Sequence, residues 1–219
     1  MNIAVEDSLS EWVLRRLLQQ HRRDLTIGLR YPLKELAGGR WNPANRRDRR
    51  GLSGYGQIRI NLPAYDAAAA AGQPFIVLTD LDVHVKCPGE LLPKWLPGSA
   101  PSANLVFRVA VKEVEAWLVA DRRNLADFLE VDLTDMPADA EALENPKKAI
   151  VNLSRRSAST TIINDMVPLI GSTAEVGRGF ERTLRVFARD RWDIELAATH
   201  SRSLAKAVLA IQRFKPQSA

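Results

Sequence analysis

The sequence of 219 residues predicts an α/β protein with a mainly parallel four-stranded sheet flanked by helices, followed by a helical C-terminal section. Strand-like apolar runs alternate with helical patterns across residues 1–120, and parallel strands need such crossover connections. The run PFIVLTD at 74–80 is apolar almost to its end, as in strands buried on both faces. From about residue 145 only helical patterns and turns remain, so we place an α/β domain at 1–144 and a helical section at 145–219.

The first predicted elements are a strand, a helix and a second strand. NIAVE at 2–6 is short and rich in branched residues, which predicts a strand. The segment at 8–21 predicts a helix, with apolar residues at helical spacing: Leu9, Trp12, Val13, Leu17 and Leu18. Ser8 and Glu11 match an S-x-x-E capping box and predict the start of this helix. Residues 24–32 predict the second strand, which Pro32 ends.

The middle of the chain predicts a long loop and the other two strands. Residues 37–57 show no periodicity and contain many Gly, Asn and Pro residues, which indicates a surface loop. The remaining predicted elements are a helix around 62–72, strands at 74–80 and 104–111, a helical stretch at 112–131, and helices within 146–156, 177–190 and 201–214.

Composition limits the compartment and the partners. Cys87 is the one cysteine, which excludes an internal disulfide framework and favours a reducing compartment. The N-terminus lacks the basic region of a signal peptide, and no apolar run is long enough to span a bilayer. We therefore expect a cytoplasmic protein without a membrane partner. The net charge of +5 is modest, so the distribution of charge says more about a polyanionic partner than its sum.

Carboxylates follow the predicted strands at the edge where ligands of parallel sheets bind. Glu6 ends the first strand, Asp80 and Asp82 end the third, and Glu113 and Glu115 follow the fourth. Two like charges a few ångströms apart repel by roughly 4 kcal/mol at an effective dielectric constant of 20. Raised pKa values or a bound cation can relieve this repulsion. Oxygen ligands without a Cys or His cluster favour Mg²⁺ or Mn²⁺.

Each of these acids also has a structural interpretation. Asp80 and Asp82 could form Asx-turns, and Glu6 could be an exposed charge. Glu113 and Glu115 could lie in a solvated first helical turn. Turn residues that serve separate structural roles would not be expected to lie together at one edge of one sheet. The convergence of these acids at one edge therefore favours a metal site.

The order of these motifs resembles a toprim domain. The segments on which this resemblance rests are VED at 5–7, DLD at 80–82, EVEAWL at 113–118 and NPKK at 145–148. The last two resemble motifs of toprim nucleases related to the overcoming-lysogenization-defect family, and the whole pattern is similar to a group of small bacterial toprim-like proteins. The toprim resemblance covers about 1–120. The chain departs from the family at Asp7, where glycine is usual, and by one extra residue before Glu11.

The resemblance implies a metal-dependent nuclease that hydrolyses phosphodiester bonds of DNA or RNA. Its ligands to Mg²⁺ or Mn²⁺, in a pair of ions, would be Glu6, Asp80, Asp82 and Glu115. In two-ion sites one cation activates a water and the other stabilises the leaving oxygen. Glu113 or Glu115 would complete the site or orient water, and Lys147 would neutralise charge on the phosphate.

Other functions stay open at this point. The chain is too short for a topoisomerase, and one cysteine cannot supply the zinc element of a primase. A catalytically degenerate nucleic-acid-binding or regulatory module that works with a separate ATPase is the first alternative. A D-x-D phosphatase or nucleotide-sugar enzyme is the second. The resemblance also implies a role in defence against phage beside such an ATPase, and a homodimer stays open.

The loop at 37–57 is the predicted contact with nucleic acid. Its basic residues are Arg40, Arg46, Arg47, Arg49 and Arg50. Trp41 and Tyr55 are available to stack on bases, as in proteins that bind single strands. A solvated surface loop is the alternative interpretation.

Overall fold

One parallel sheet organises the protein. The computed structural model describes residues 1–31, 54–81, 87–98 and 100–217. Within these ranges four strands lie in the order β2-β1-β3-β4, and every neighbouring pair is parallel. The strands are β1 at Asn2–Val5, β2 at Arg30–Tyr31, β3 at Phe75–Asp80 and β4 at Leu105–Ala110. The predicted α/β class with a four-stranded parallel sheet and a helical C-terminal section is confirmed.

The register of the strands aligns their carboxyl ends. Val5 of β1 pairs with Leu78 of β3, and Asp80 of β3 pairs with Ala110 of β4. The residues that follow β1, β3 and β4 therefore emerge at the same edge of the sheet. This edge is where open parallel sheets bind their ligands.

Helices cover both faces of the sheet. Those of the described ranges are α1 at Ser8–His21, α2 at Gly54–Ala70, α3 at Leu91–Trp95, α4 at Val114–Val119, α5 at Arg122–Leu129, α6 at Pro146–Ser154, α7 at Thr160–Met166, α8 at Phe180–Asp190, α9 at Ile194–His200 and α10 at Arg202–Arg213. Short 3₁₀ turns lie at Pro88–Glu90 and Leu133–Asp135. In the described ranges, no helix is both long enough and apolar enough to cross a membrane.

Two apolar cores lie on opposite faces of the sheet because side chains alternate along a strand. Ile3, Val5 and Leu78 belong to the larger core, which includes apolar residues of α1, α4, α8 and α10. Ala4 and Val77 belong to the smaller core, which α2 and α3 cover. The sheet is thus buried on both sides, as the apolar β3 sequence predicts.

The C-terminal helices share the larger core with the sheet. Helix α8 packs on α1, and α10 packs on both α1 and β4. Trp117 of α4 is fully buried, and its indole Nε1 donates a hydrogen bond to Ser203 Oγ of α10 over 2.7 Å. Since α4 follows the fourth strand, this bond fixes a segment beside the carboxyl edge. The boundary between 144 and 145 stays a prediction.

Helix α2 begins earlier than the sequence predicts. It starts at Gly54, so residues 54–57 belong to a helix and not to the predicted loop. Pro63 lies inside the helix on an exposed turn, where water can bond the carbonyl that a proline leaves free. The buried side chains recur at helical spacing on both sides of this proline: Ile58, Leu62, Tyr65 and Ala69. This apolar face, continuous across Pro63, explains the longer helix.

Strand β2 is shorter than the predicted 24–32. The backbone N–H of Gly28 donates to Met1 O over 2.7 Å, and that of Leu29 donates to the side chain of Asn2 over 3.1 Å. The amide of Asn2 therefore takes the place of a regular ladder bond before β2 starts. Only Arg30 and Tyr31 pair with β1 as a strand within the described residues.

The predicted capping box at Ser8 and Glu11 is wrong. Asp7 is the N-cap of α1, and its carboxylate accepts a hydrogen bond from Ser10 N over 2.7 Å. A charged aspartate also interacts favourably with the positive end of a helix. Glu11 turns instead toward Arg15, whose Nε lies 2.8 Å from its carboxylate. Its role is structural, as the sequence suggests, but it does not cap the helix.

The helical stretch predicted at 112–131 divides at Asp121. This residue is buried and has a non-helical backbone between α4 and α5. Its carboxylate accepts hydrogen bonds from Asp193 N, at 2.7 Å, and from Asn124 Nδ2, at 2.9 Å. These bonds compete with a continuous helix, as short polar side chains often do. They also attach the start of α9 to the end of α4.

The segment after α7 returns through two glycines. Gly177 N donates to Met166 O over 2.9 Å, and Gly179 N donates to Asp165 O over 2.8 Å. A Cβ on Gly177 would lie 2.6 Å from the Met166 carbonyl carbon, which is closer than packed atoms allow. The absence of a side chain at Gly177 therefore lets the chain close against the end of α7.

We expect Gly177→Ala to destabilise the protein by about 1–3 kcal/mol, because the added methyl group meets backbone and not a flexible side chain. Chemical denaturation measures the change. Gly89→Ala is the matched control, since its Cβ would meet the Cys87 sulfur at an ordinary 3.8 Å. Equal stability of the two variants would contradict the close approach at Gly177.

Candidate functional site

The carboxyl ends of β1 and β3 bring Glu6 and Asp80 together. Glu6 directly follows β1, and one of its oxygens accepts a hydrogen bond from Asp80 N over 2.9 Å. The same oxygen accepts a hydrogen bond from the buried hydroxyl of Thr79. The second carboxylate oxygen of Glu6 accepts no hydrogen bond from the described residues. Glu6 therefore has a fixed position and one oxygen left for a ligand.

Asp80 connects the end of β3 to the start of α4. Its Oδ1 accepts a hydrogen bond from Val114 N over 3.1 Å. Because side chains alternate along β3, Asp80 points toward the same core as Leu78, and Thr79 points to the opposite face with Val77. Glu6 accepts its hydrogen bond from Thr79 and lies on that opposite face. Glu6 and Asp80 therefore approach the edge from different sides of the sheet.

Glu115 lies in the first turn of α4 and is almost fully buried. The exposed fraction of the residue is 1%. Its Oε1 lies 3.5 Å from Lys147 Nζ, and its Oε2 is buried without a hydrogen-bond partner in the described part of the chain. A buried carboxylate oxygen without a partner is costly and requires an explanation. A bound cation would provide one.

Lys147 supplies positive charge at this edge, and Glu113 helps to position it. Lys147 lies in the first turn of α6, with its Nζ 3.6 Å from Glu113 Oε1 and 3.5 Å from Glu115 Oε1. Its backbone N–H also donates to Glu113 Oε2 over 3.4 Å. Glu113 thus holds the start of α6 against the start of α4. The structure brings together the residues of the EVEAWL and NPKK motifs.

Burial, together with repulsion from neighbouring carboxylates, raises the pKa values of three acids here. Burial raises the pKa of Asp80 well above its ordinary value, and the charges of Glu6 and Glu115 add to this effect. Burial raises the pKa of Glu115 to about 7, although Lys147 opposes the change. Burial also raises the pKa of Glu6, and the hydrogen bonds from Thr79 and Asp80 limit the increase. These acids hold protons more tightly than exposed carboxylates do.

The pKa of Lys147 changes in the opposite sense to that of a buried, isolated lysine. Burial alone would lower it, but the carboxylates of Glu115, Glu113 and Asp80 together raise it above its ordinary value. Lys147 therefore remains positively charged throughout the physiological pH range. It acts as a fixed charge and not as a base.

Some of the predicted site residues lie outside the described ranges. They are Asp82, Arg40, Trp41, Arg46, Arg47, Arg49 and Arg50. Tyr55 is described in α2, where its ring packs edge-on against Trp95 with centroids 4.9 Å apart. This packing places Tyr55 in the smaller core, which contrasts with its expected use as a base-stacking residue.

The described residues alone do not form a complete metal site. In residues 1–31, 54–81, 87–98 and 100–217, no group of three or more His, Cys, Asp or Glu side chains is arranged to hold a metal ion. The predicted ligands Glu6, Asp80 and Glu115 share one edge, and the fourth, Asp82, lies outside these ranges. The proposed ligand set therefore depends on Asp82.

Sequence reasoning missed Thr79, which orients Glu6. Its hydroxyl is the buried donor to the Glu6 carboxylate. The available signal was a polar residue inside the otherwise apolar β3, immediately before Asp80. A buried hydroxyl needs a partner, and the end of the neighbouring parallel strand supplies it.

Comparisons with known proteins do not add a relative. No family model matches the chain, no curated protein matches it, and no solved structure matches it.

We expect Lys147→Met to destabilise the metal-free protein by about 3 kcal/mol at pH 8, because it leaves buried carboxylates without their cation. The loss should be smaller at pH 5. The folded-state pKa of Glu115, about 7, exceeds its ordinary value of 4.5. Between these values the folded chain binds more protons than the unfolded chain, so ionisation of Glu115 lowers stability as pH rises. At pH 5 Glu115 is protonated and needs Lys147 less.

Urea unfolding in EDTA at both pH values measures this difference. Lys148→Met is the matched control, because Lys148 is the exposed neighbour of Lys147 and should change stability by less than about 0.5 kcal/mol. A loss for Lys147→Met that is the same at pH 5 and pH 8 would show that the carboxylates do not depend on this lysine.

Proposed function

We propose that the protein is a metal-dependent nuclease that uses Mg²⁺ or Mn²⁺ to hydrolyse phosphodiester bonds. One observation carries this proposal: Glu6, Asp80 and Glu115 share the carboxyl edge of a parallel sheet with Lys147 beside them. The raised pKa values of these three acids mean that one lysine does not offset the cost of ionising them at this edge. A hard divalent cation would stabilise their ionised forms. The toprim resemblance supports the same activity.

Two carboxylate oxygens among the described residues are chemically suited to such a cation. One carboxylate oxygen of Glu6 accepts no hydrogen bond from the described residues. Glu115 has a buried oxygen without a partner among these residues. Both are hard oxygen donors of the kind that Mg²⁺ and Mn²⁺ prefer. The proposed ligands are Glu6, Asp80, Asp82 and Glu115. When bound, the cations would supply activation of water and stabilisation of charge on the phosphate.

The chain's own residues provide position and charge. Thr79 and the backbone of Asp80 orient Glu6, and the N–H of Val114 orients Asp80. Lys147 remains protonated and offers a fixed positive charge to the phosphate oxygens as negative charge develops there. Glu113 holds Lys147 at the edge through the backbone of α6.

A catalytically degenerate nucleic-acid-binding or regulatory module is the second candidate. It is favoured by the incomplete group of metal ligands in the part of the chain that the structure describes. Such a module would bind nucleic acid without cleaving it. A separate ATPase is the partner that the family resemblance suggests for either function.

We expect Mg²⁺ or Mn²⁺ to promote cleavage of labelled DNA or RNA, EDTA to abolish it, and Asp80→Asn to lower the rate by about 100-fold or more, since one of the metal ligands is removed. Gel analysis of single- and double-stranded DNA and RNA measures the products. Asp190→Asn is the control, because Asp190 is an exposed aspartate paired with Arg189 on α8. Cleavage that survives Asp80→Asn would exclude this site as its source.

Thermal unfolding separates the two candidates. A ligand that binds the folded state raises the melting temperature, so Mg²⁺ or Mn²⁺ should stabilise the wild type but not Asp80→Asn. Stabilisation without cleavage would favour the regulatory module. If Mg²⁺ and Mn²⁺ cause neither stabilisation nor cleavage, the metal is excluded from the proposal.

The basic segment at 40–50 is the proposed contact with the nucleic-acid backbone. Replacing its five arginines with glutamine should weaken binding and reduce the dependence of affinity on salt concentration, by about 0.7–0.9 in logarithmic slope for each phosphate that is no longer neutralised. The replaced residues are Arg40, Arg46, Arg47, Arg49 and Arg50. Fluorescence anisotropy over a range of salt concentrations measures both quantities, and an unchanged slope would show that this segment does not bind the backbone.

A further inference from the structure

A cavity lies directly beside the acidic edge, and neither the metal site nor the basic segment accounts for it. Its volume is about 430 Å³, and it opens between α6 and the segment at 168–175. This volume falls within the range of about 300–1,000 Å³ that is usual for small-ligand sites. Lys147 lines the cavity and also contacts Glu113 and Glu115, so the cavity and the acidic edge share this side chain.

One wall of the cavity is positively charged. Lys148 of α6 and Arg155, the C-cap of that helix, line this wall. They are seven residues apart and therefore lie on the same face. Neither makes an ion pair with any residue of the described ranges. Glu175 is the acid on the opposite wall. Two exposed cations that are not engaged in such pairs can each bind an oxygen of a phosphate group.

The opposite wall, which includes Glu175, also carries exposed apolar side chains. Leu169 and Ile170 line the cavity, and 67% of Leu169 and essentially all of Ile170 are exposed. Large exposed apolar side chains beside a cavity indicate a surface that a ligand covers. Gly177 and Gly179 hold the end of this segment against α7 through their backbone bonds to Met166 and Asp165. The apolar wall is thus attached to the helical section at its base.

We propose that this cavity binds one unpaired nucleotide of the substrate strand, next to the bond that the acidic edge cleaves. Lys148 and Arg155 would bind its phosphate, and the base or sugar would cover Leu169 and Ile170. The proposal rests on the nuclease function and adds to it the substrate class: a strand that is single at this position.

The geometry favours an unpaired strand over a duplex. A duplex keeps its bases stacked inside and presents phosphates to a protein surface, so it would use the cations but leave the apolar wall exposed to water. An unpaired nucleotide can place its phosphate and its base on opposite sides of a small cavity. The continuity through Lys147 also favours a strand, because successive phosphates of one chain would reach both the cavity and the acidic edge.

Fluorescence anisotropy of the full chain in EDTA tests this proposal without cleavage. The probes are a labelled five-nucleotide single strand, a blunt-ended two-stranded duplex that contains the same sequence, and a labelled mononucleotide. We expect the single strand to bind about tenfold more tightly than the duplex, and the mononucleotide to bind more weakly than the strand, since it lacks the neighbouring phosphates.

Paired variants assign the binding to the cavity. The double variant Lys148→Gln with Arg155→Gln should weaken single-strand binding by about tenfold and reduce its salt dependence. The control is Lys206→Gln with Arg191→Gln, which removes two exposed cations elsewhere on the helical section and should leave affinity within about twofold. Ile170→Ser should lower the preference for the single strand without changing the salt dependence, because it alters the apolar wall alone.

The outcomes distinguish this inference from the nuclease proposal. Equal binding of the duplex and the single strand, or equal affinities of the cavity variant and its control, would overturn the nucleotide site even if the protein cleaves nucleic acid. If only the mononucleotide binds tightly, the ligand is a free nucleotide and the proposed single-stranded substrate is overturned. If the cavity variant loses binding and the wild-type protein cleaves no nucleic acid, the nucleotide site is retained and the nuclease function is rejected.

Discussion

The carboxyl edge of the sheet depends on one lysine that faces several buried acids. Lys147 lies 3.5 Å from Glu115 and 3.6 Å from Glu113, and its charge also reaches Asp80. Burial raises the pKa values of Asp80 and Glu115 despite this cation, so its single charge does not offset the cost of burying ionised acids. A protein that only needed a stable fold would gain by replacing such acids with apolar residues. Their presence at the carboxyl edge, where open parallel sheets bind ligands, agrees with a functional use, since perturbed pKa values concentrate at such sites.

The helical section contributes directly to this edge. Helix α6 carries Lys147, and α10 fixes α4 through the bond between Trp117 and Ser203. Asp80 in turn accepts a hydrogen bond from the start of α4. The positions of Asp80 and Glu115 therefore depend on helices that follow the sheet in the sequence. The same helix α6 connects the acidic edge to the cavity through Lys147 and Lys148, which are adjacent in the sequence but face different neighbours.

Periodicity was sufficient to predict the strands, most helices and the edge at which Glu6, Asp80 and Glu115 meet. It failed where a local hydrogen bond determined the backbone, as at Asp7 and Asp121. Such bonds depend on contacts with distant residues or on small differences between neighbouring caps. Pro63 concealed the start of α2, although the apolar spacing continued across it. The cavity could not be predicted, because its two walls come from separate segments whose approach depends on tertiary packing.

The parallel topology also determines the order in which the protein can assemble. Strand β1 lies between β2 and β3, so its pairing with β3 must wait for a long crossover to be synthesised and closed. Arg22, just after α1, donates a hydrogen bond to Ile211 O, 189 residues further along the chain. Contacts of such long sequence separation carry a large loop-closure cost and slow folding. Because α10 covers both α1 and β4, the N-terminal half exposes apolar surface until α10 docks. During synthesis on the ribosome, this exposed apolar surface makes the incomplete chain prone to aggregate until α10 is available.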